Sequence, residues 1–81
     1  MIIKILGTGC AKCEKLERAA REALSELSVE AEVEKVKDLD AIMAYGVMMT
    51  PGLVINEKVK SAGKIPSIDQ IKNWIQESNE N

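Results

Sequence analysis

In the first third of the chain, an apolar run is followed by a segment in which apolar residues recur with the period of a helix. In the next segment, apolar and charged residues alternate. Residues 2–6 are apolar except for Lys4 and end at Gly7, which predicts a buried strand. Residues 11–27 carry an apolar stripe, with Glu and Arg on the opposite face, which predicts an amphipathic helix. The stripe consists of Leu16, Ala20, Ala23, Leu24 and Leu27. Residues 29–34 alternate apolar residues with glutamate, so a half-exposed strand should follow, parallel to the first.

The middle of the chain predicts a short helix and a hairpin. Asp38 is a suitable cap for a helix that runs through Tyr45, and Gly46 is a suitable end. Residues 52–62 contain two β-rich runs on either side of a tight turn at residues 56–57. Asparagine tolerates a positive φ in such a turn, whereas glutamate suits it less well than glycine does.

The last helix has the clearest start signal. Ser67, followed three residues later by Gln70, forms a capping-box pattern just after Pro66. The inward stripe of this helix is Ile68, Ile71, Trp74 and Ile75. Residues 78–81 are polar and are expected to fray. The order β-α-β-α-β-β-α predicts an α/β fold in one domain, residues 1–81, with a mixed four-stranded sheet and three helices.

Composition excludes several classes of function. Tyr45 and Trp74 are the only aromatic residues and the net charge is −2, so neither a basic patch nor a stacking platform indicates nucleic-acid binding. The chain has no histidine, which excludes histidine catalysis and histidine metal ligands. The longest weakly polar stretch, residues 41–55, is too short and too broken to span a bilayer. The N-terminus lacks a signal-peptide pattern, so we expect a cytoplasmic protein with no membrane association.

The two cysteines of the chain stand three residues apart in the run G-T-G-C-A-K-C, residues 7–13. Cys10 falls at the expected start of the first helix, where unpaired N–H groups and the helix dipole favour a thiolate. Lys12 adds a positive charge nearby, and Glu14 opposes it. Cys13 is in phase with the apolar stripe and should face inward. An exposed thiolate followed by a shielded thiol is the arrangement that a dithiol exchanger needs.

Other uses of the cysteine pair remain open at this point. Two thiolates suit Cu(I), so a soft-metal carrier is an alternative, although two cysteines alone do not complete a structural zinc site. The pair can also be two small residues that pack against the strand, or a redox switch in a non-catalytic interaction module. A structural disulfide is unusual in the cytoplasm, and a C-x-x-C in a strand–helix–strand unit favours redox chemistry.

The whole chain resembles the thioredoxin superfamily, in a shortened form without the extra N-terminal strand and helix. The resemblance is carried by G-T-G-C-A-K-C after the opening strand, by Thr50-Pro51 before the hairpin and by S-A-G-K-I-P-S before the last helix. More closely, G-T-G-C-x-K-C with Y-G-V-x-x-T-P is similar to the small group called redox-active disulfide protein 2. This match extends from Met1 to about Trp74.

The resemblance implies roles for residues that periodicity does not single out. It implies a cis peptide bond at Pro51, next to Cys10 and Cys13, and a Thr50 backbone that pairs with an extended substrate segment. Without the cysteine pair, Pro51 would be interpreted as a turn proline that opens an edge strand. Met49 belongs to an apolar run before Thr50 that either adapts to a partner protein or completes the core.

Three departures from the family pattern affect the site. Gly9 replaces the aromatic residue that thioredoxins have before the first cysteine, and Ala11-Lys12 replaces Gly-Pro between the cysteines. Lys4 stands where thioredoxins carry a buried acid; it either lies under the thiols or reaches solvent across an open sheet face, the interpretation that we favour. The glutathione-anchoring groups of glutaredoxins are incomplete, because Ala62-Gly63-Lys64 replaces Gly-Gly-Asp.

These observations together predict a dithiol–disulfide oxidoreductase. Cys10 would be the attacking nucleophile and Cys13 the resolving thiol, with Lys12 stabilising the thiolate. Thr50, Pro51 and Met49 would bind substrate. We expect no metal and no organic cofactor, only the redox-active disulfide Cys10–Cys13. The expected partners are protein disulfides and a reductase that recycles a monomeric protein.

Overall fold

The computed structural model describes residues 1–9 and 11–79. They form seven elements in the predicted order. The elements are β1 (Ile2–Leu6), α1 (Ala11–Leu27), β2 (Glu32–Val36), α2 (Leu39–Ala44), β3 (Gly52–Ile55), β4 (Lys58–Ala62) and α3 (Ile68–Asn79). β1 and α1 have the bounds that the sequence pattern predicts. The glycine that ends β1 and the helical period of the apolar residues in α1 are both local signals.

The four strands form one mixed sheet in the order β2-β1-β3-β4. β1 pairs with β2 in parallel, and the pairs β1–β3 and β3–β4 are antiparallel. With three helices around it, this sheet confirms the predicted shortened thioredoxin-like fold. The carboxyl end of β1 and the amino end of β3 meet at one edge, since Leu6 is opposite Gly52.

The two faces of the sheet carry separate apolar clusters. α1 and α3 cover the larger cluster, whose buried residues are Ile3, Ile5, Leu16, Ala20, Ala23, Leu24, Leu53, Ile55, Ile71 and Ile75. α2 covers the smaller cluster on the opposite face, formed by Leu6, Ile42, Val47 and Val54. Each fully buried Ile or Leu contributes roughly 1.5–3 kcal/mol from apolar burial. The sheet that carries the site is therefore fixed from both faces.

β2 begins later than the alternation of residues 29–34 predicts. Ser28 adopts a positive φ of 55°, and the Val29 N–H donates to the Leu24 carbonyl oxygen at 3.0 Å. The residues after α1 are thus used to end the helix. Pairing with the first strand begins where the Glu32 N–H donates to the Met1 carbonyl oxygen at 3.0 Å.

Side-chain caps start the two later helices as predicted. The Asp38 carboxylate accepts from the Ala41 N–H at 3.2 Å. At α3 the bonds are reciprocal: the Gln70 N–H donates to the Ser67 hydroxyl at 3.2 Å, and the Ser67 N–H donates to the Gln70 side-chain oxygen at 3.1 Å. α3 continues through Asn79, so the first half of the segment expected to fray is helical.

The hairpin turn lies at Asn56 and Glu57, where it was predicted. Both residues have a positive φ, 49° and 67°, as a two-residue turn of this kind requires. The Asn56 N–H donates to the Ile2 carbonyl oxygen at 2.9 Å, and the Asn56 side chain accepts from the Ile2 N–H at 3.0 Å. The turn is thereby tied to the start of β1.

Across residues 1–9 and 11–79, no helix combines the length and the apolar character needed to cross a bilayer.

Candidate functional site

Cys13 is held against the backbone at the end of β1. It lies in the first turn of α1 with 6% of its surface exposed, so the prediction that it faces inward is confirmed. Gly7 follows β1, and its N–H donates to the Val36 carbonyl oxygen at 2.9 Å. A Cβ at Gly7 would collide with the Cys13 Sγ and lie 3.2 Å from the Cys13 Cβ. Only a glycine leaves room for the sulfur at this place.

Thr50 also lies near Gly7, and Pro51 follows it in the chain. The Thr50–Pro51 peptide bond is cis, the geometry that the resemblance implies. Pro51 is buried and its carbonyl oxygen accepts from the Gly63 N–H at 2.9 Å, whereas Thr50 is exposed. The Thr50 Cβ is 3.9 Å from the position that a Cβ at Gly7 would take. The structure therefore brings Cys13 and the Thr50–Pro51 pair to the same glycine, although 37 residues separate Cys13 from Thr50 in sequence.

The attacking cysteine of the prediction, Cys10, lies outside the described residues. α1 begins at Ala11, the next residue in the chain. Lys12 is exposed in the first turn of α1. Its predicted effect on a Cys10 thiolate stays a prediction.

An apolar rim borders Thr50; it consists of Leu39, Met43, Met48 and Met49. All four side chains are exposed, Met48 by 84% and Met49 by 67%. Val47 is buried in the smaller cluster instead. The apolar run before Thr50 is therefore divided, with its valine in the core and both methionines at the surface. A groove is lined by Leu39, Met43 and Met48 of this rim together with Thr8 and Thr50, whereas Met49 lies next to Gly63.

Lys4 does not serve the thiols. Along β1 it alternates with Ile3 and Ile5, which face α1, so its side chain leaves from the opposite face. Its Nζ lies 2.8 Å from a Glu57 carboxylate oxygen and donates to the Tyr45 hydroxyl at 2.8 Å. Tyr45 in turn donates to Glu57 at 3.0 Å.

These contacts change the titration of both charged groups. Two hydrogen bonds raise the pKa of Lys4 above its ordinary value, and the one to Glu57 contributes more than the one to Tyr45. The same two contacts, with Lys4 first, lower the pKa of Glu57. Lys4 thus extends across the sheet face opposite α1 and α3, as expected, but α2 covers part of that face, and an ion pair that the sequence did not indicate holds the lysine there.

A second feature missed in the sequence lies beside Cys13. A cavity of about 90 Å³ is lined by Ile5, Gly7, Gly9, Cys13, Glu14, Glu17, Lys35 and Lys37. Glu17 is paired with Lys35 at 3.0 Å and with Arg21 at 3.0 Å. The hydrogen bond to Lys35 lowers the pKa of Glu17. Burial acts against this shift, and the hydrogen bond to Arg21 adds to it. The signal in the sequence was the spacing, because a residue four positions after Cys13 shares its helix face.

Comparisons with known proteins show which family the chain belongs to. A family model described as a thioredoxin domain matches residues 1–76. A protein named thioredoxin from Methanothermobacter thermautotrophicus is 46% identical over 72 residues, which cover 89% of this chain and 94% of that protein. A thioredoxin from Methanocaldococcus jannaschii is 39% identical over 72 residues, which cover 89% of this chain and 83% of that protein.

Proposed function

Since this chain belongs to the thioredoxin domain family and is a thiol–disulfide oxidoreductase of that family, we propose that Cys10 and Cys13 form its redox couple. One observation supports this most directly. Cys13 is buried in the first turn of α1, against Gly7 and near the cis Thr50–Pro51 bond. A resolving thiol needs this shielding, because it must react within the protein and not with external disulfides.

The reaction is a pair of exchanges. The Cys10 thiolate attacks one sulfur of a substrate disulfide, and a substrate thiolate leaves from the other. The Cys13 thiolate then attacks the Cys10 sulfur and releases the second substrate thiolate. Two electrons pass to the substrate, and the protein is left with a Cys10–Cys13 disulfide. Residues three apart on a helix are close enough for that bond.

The start of α1 would favour the thiolate form of the nucleophile. Cys10 immediately precedes Ala11, the first helical residue, so the N–H groups of the first turn are at its side of the helix. Lys12 adds a positive charge in the same turn. Both contributions support Cys10, and not Cys13, as the thiol that attacks first.

Thr50, Pro51 and Met49 would bind the substrate. The exposed Thr50 can offer its backbone to an extended segment, and Pro51 fixes the direction of the chain beside Cys13. Met49 and the rest of the apolar rim would contact the side chains that flank the substrate cysteine, since methionine adapts its shape to different partners. The substrate class is then disulfides in proteins that expose an extended, largely uncharged segment.

The redox group would be the disulfide itself, with no metal and no organic cofactor. A cytoplasmic reductase would have to return the oxidised pair to the dithiol, because each turnover leaves the protein oxidised. The protein would act as a monomer, with a site built from a single chain.

Single cysteine variants test these roles. Cys10→Ser should abolish reduction of a protein disulfide such as that of insulin. Cys13→Ser should retain the first exchange and accumulate mixed disulfides, visible as a mass increase that a reductant reverses. Activity retained in the Cys10→Ser protein would overturn the assignment.

A redox titration in metal-free buffer tests the couple as a whole. A single two-electron transition with a reduction potential of about −270 to −200 mV would place the pair in the range of thioredoxins and glutaredoxins. A pair that forms no intramolecular disulfide but binds Cu(I) or zinc stoichiometrically would instead indicate a metal carrier.

A further inference from the structure

We propose that the methionines of the apolar rim, Met43, Met48 and Met49, are a site of oxidation by hydrogen peroxide. Sulfoxide formation at this site weakens the binding of protein disulfides, an effect that rests on the proposed function. Methionine sulfoxide is polar where methionine is apolar, and it disrupts surfaces that are rich in methionine. Two observations carry the inference: how exposed these side chains are, and which residues they lie beside.

Exposure separates the rim from the remaining methionine of the chain. Met48 is exposed by 84%, Met49 by 67% and Met43 by 60%. The chain has four methionines, and the fourth, Met1, is half-buried against the larger cluster. Oxidation requires that the peroxide reach the thioether sulfur. The three rim methionines are therefore expected to be oxidised before Met1.

The rim methionines lie on the surface that the substrate would cover. Met43 and Met48 line the groove that also contains Thr50, whose backbone is the proposed docking edge. Met49 lies against Gly63, since a Cβ at Gly63 would be 3.0 Å from the Met49 Cβ and 3.5 Å from the Met49 sulfur. An oxygen atom added to any of these sulfurs would stand in or beside the path of an extended segment.

Oxidation of the rim should leave the fold intact. Ile42 and Val47 hold α2 and the loop after it to the sheet, where they are buried in the smaller cluster with Leu6 and Val54. Within the part of the chain that the structure describes, no methionine belongs to this cluster. The modification thus changes what the surface can bind without removing a contact from the core.

The oxidation transfers one oxygen atom and two electrons. The thioether sulfur attacks one oxygen of the peroxide, the O–O bond breaks, and the other oxygen leaves as water with the proton that the transferred oxygen loses. The sulfur is oxidised to the sulfoxide, and the peroxide is reduced to water. A disulfide is returned to the dithiol by another thiol, whereas a sulfoxide is reversed by dedicated reductases. A rim sulfoxide therefore persists after the thiols have been reduced.

Peptide mass spectrometry tests the first half of the proposal. The protein is converted to its disulfide form, which protects the thiols, and is then treated with limiting hydrogen peroxide. Met48 should gain an oxygen atom first, Met43 and Met49 should follow, and Met1 should react last. The control is the protein unfolded in urea, in which all four methionines should react at similar rates.

Reaction with a large and a small disulfide tests the second half. After the peroxide treatment, the thiols are restored with dithiothreitol, which is removed, and the reduced protein is mixed with insulin or with cystamine. Rim oxidation should lower the second-order rate constant for insulin by about tenfold, as expected when roughly one methionine loses its apolar contact. The rate constant for cystamine should change by less than about twofold, because this reagent covers little apolar area of the rim.

Leucine substitutions remove the sulfur and keep the side chain apolar. The variant that combines Met43→Leu, Met48→Leu and Met49→Leu is compared with itself before and after peroxide, and its rate constant for insulin should not fall. Adding Ile2→Met gives the matched control. Ile2 is exposed at the opposite end of β1 from Gly7, so the introduced sulfur should be oxidised without slowing the reaction with insulin. Met48→Gln places a polar side chain in the groove and should lower the rate constant for insulin without any peroxide.

Four outcomes would overturn the proposal. The first is oxidation of Met1 as fast as that of the rim in the folded protein, and the second is a rate constant for insulin that rim oxidation leaves unchanged. The third is an equal fall for insulin and cystamine, which would place the effect at the thiols. The fourth is the same loss after peroxide in the leucine variant. Failure of the untreated protein to react with either disulfide would instead contradict the redox couple, whereas the order of methionine oxidation does not depend on that couple.

Discussion

Replacement of Gly7 by alanine tests whether Cys13 is held by a contact that only glycine permits. The new Cβ would collide with the Cys13 Sγ and approach the Cys13 Cβ to 3.2 Å, while the Thr50 Cβ stays at an ordinary 3.9 Å. The bond from the Gly7 N–H to Val36 is unaffected by a side chain. The perturbation therefore acts on one thiol.

The expected cost follows from two opposing contributions. Overpacking of this kind costs about 1–3 kcal/mol. Alanine also restricts the unfolded chain, which returns about 0.4–1 kcal/mol where the backbone conformation allows it. A net loss of about 1–2 kcal/mol in the free energy of unfolding is expected, and each kcal/mol lowers the Tm of a domain this size by about 4–8 °C.

The assay is urea unfolding of the fully reduced protein in a double-mutant cycle with Cys13→Ala. Without the sulfur, most of the collision disappears, so Gly7→Ala should cost less than half as much in the Cys13→Ala background. Gly52→Ala is the control: its Cβ would meet Val47 and Leu6 at 3.3 and 3.4 Å, away from Cys13. Its cost should be the same with and without the Cys13 sulfur.

Equal costs of Gly7→Ala in the two backgrounds would refute the reasoning, because the sulfur would then not be the atom displaced. A reduced Cys10→Ser protein gives an independent check. Gly7→Ala should make its one remaining thiol, Cys13, react faster with iodoacetamide by pushing it toward solvent.

Three further predictions concern the scaffold. Leu16→Ala, in the larger cluster, should lower the free energy of unfolding in urea by about 2–5 kcal/mol, whereas a loss under 1 kcal/mol would contradict its burial. Ser67→Ala should cost about 1 kcal/mol, and Ser67→Asp should restore it. Glu57→Gln should destabilise the protein at pH 7, because the pKa of Glu57 is lowered by Lys4. This difference is present above the ordinary value of 4.5 and should vanish as pH falls through the folded pKa; a constant difference down to pH 2 would exclude the ion pair.

Local patterns gave most of the elements. The bounds of α1, the turn at Asn56 and the cap at Ser67 follow from neighbours within four residues, so a reader of the sequence can place them. The predicted start of β2 was wrong. Residues 29–31 have the alternation of a strand, but they are used to end α1, where Ser28 adopts a positive φ.

The candidate site could likewise be predicted from the sequence only where the signal is local. The helical phase was enough to predict that Cys13 faces inward. That Pro51 lies next to Cys13 depended on the resemblance, since 38 residues separate them. The ion pairs Lys4–Glu57 and Glu17–Lys35 were not found, because each joins different elements and only packing decides which charges meet.

The outer strands of the sheet determine how the protein behaves when it is concentrated. Among the described residues, β2 and β4 each pair on one side only, and an unpaired strand edge can template growth of a sheet from one chain to the next. β2 carries Glu32 and Glu34, and β4 carries Lys58 and Lys60. Two copies that met through the same edge would bring like charges together. Valine at both glutamate positions would leave pairing with β1 intact and is expected to make the domain aggregate more readily.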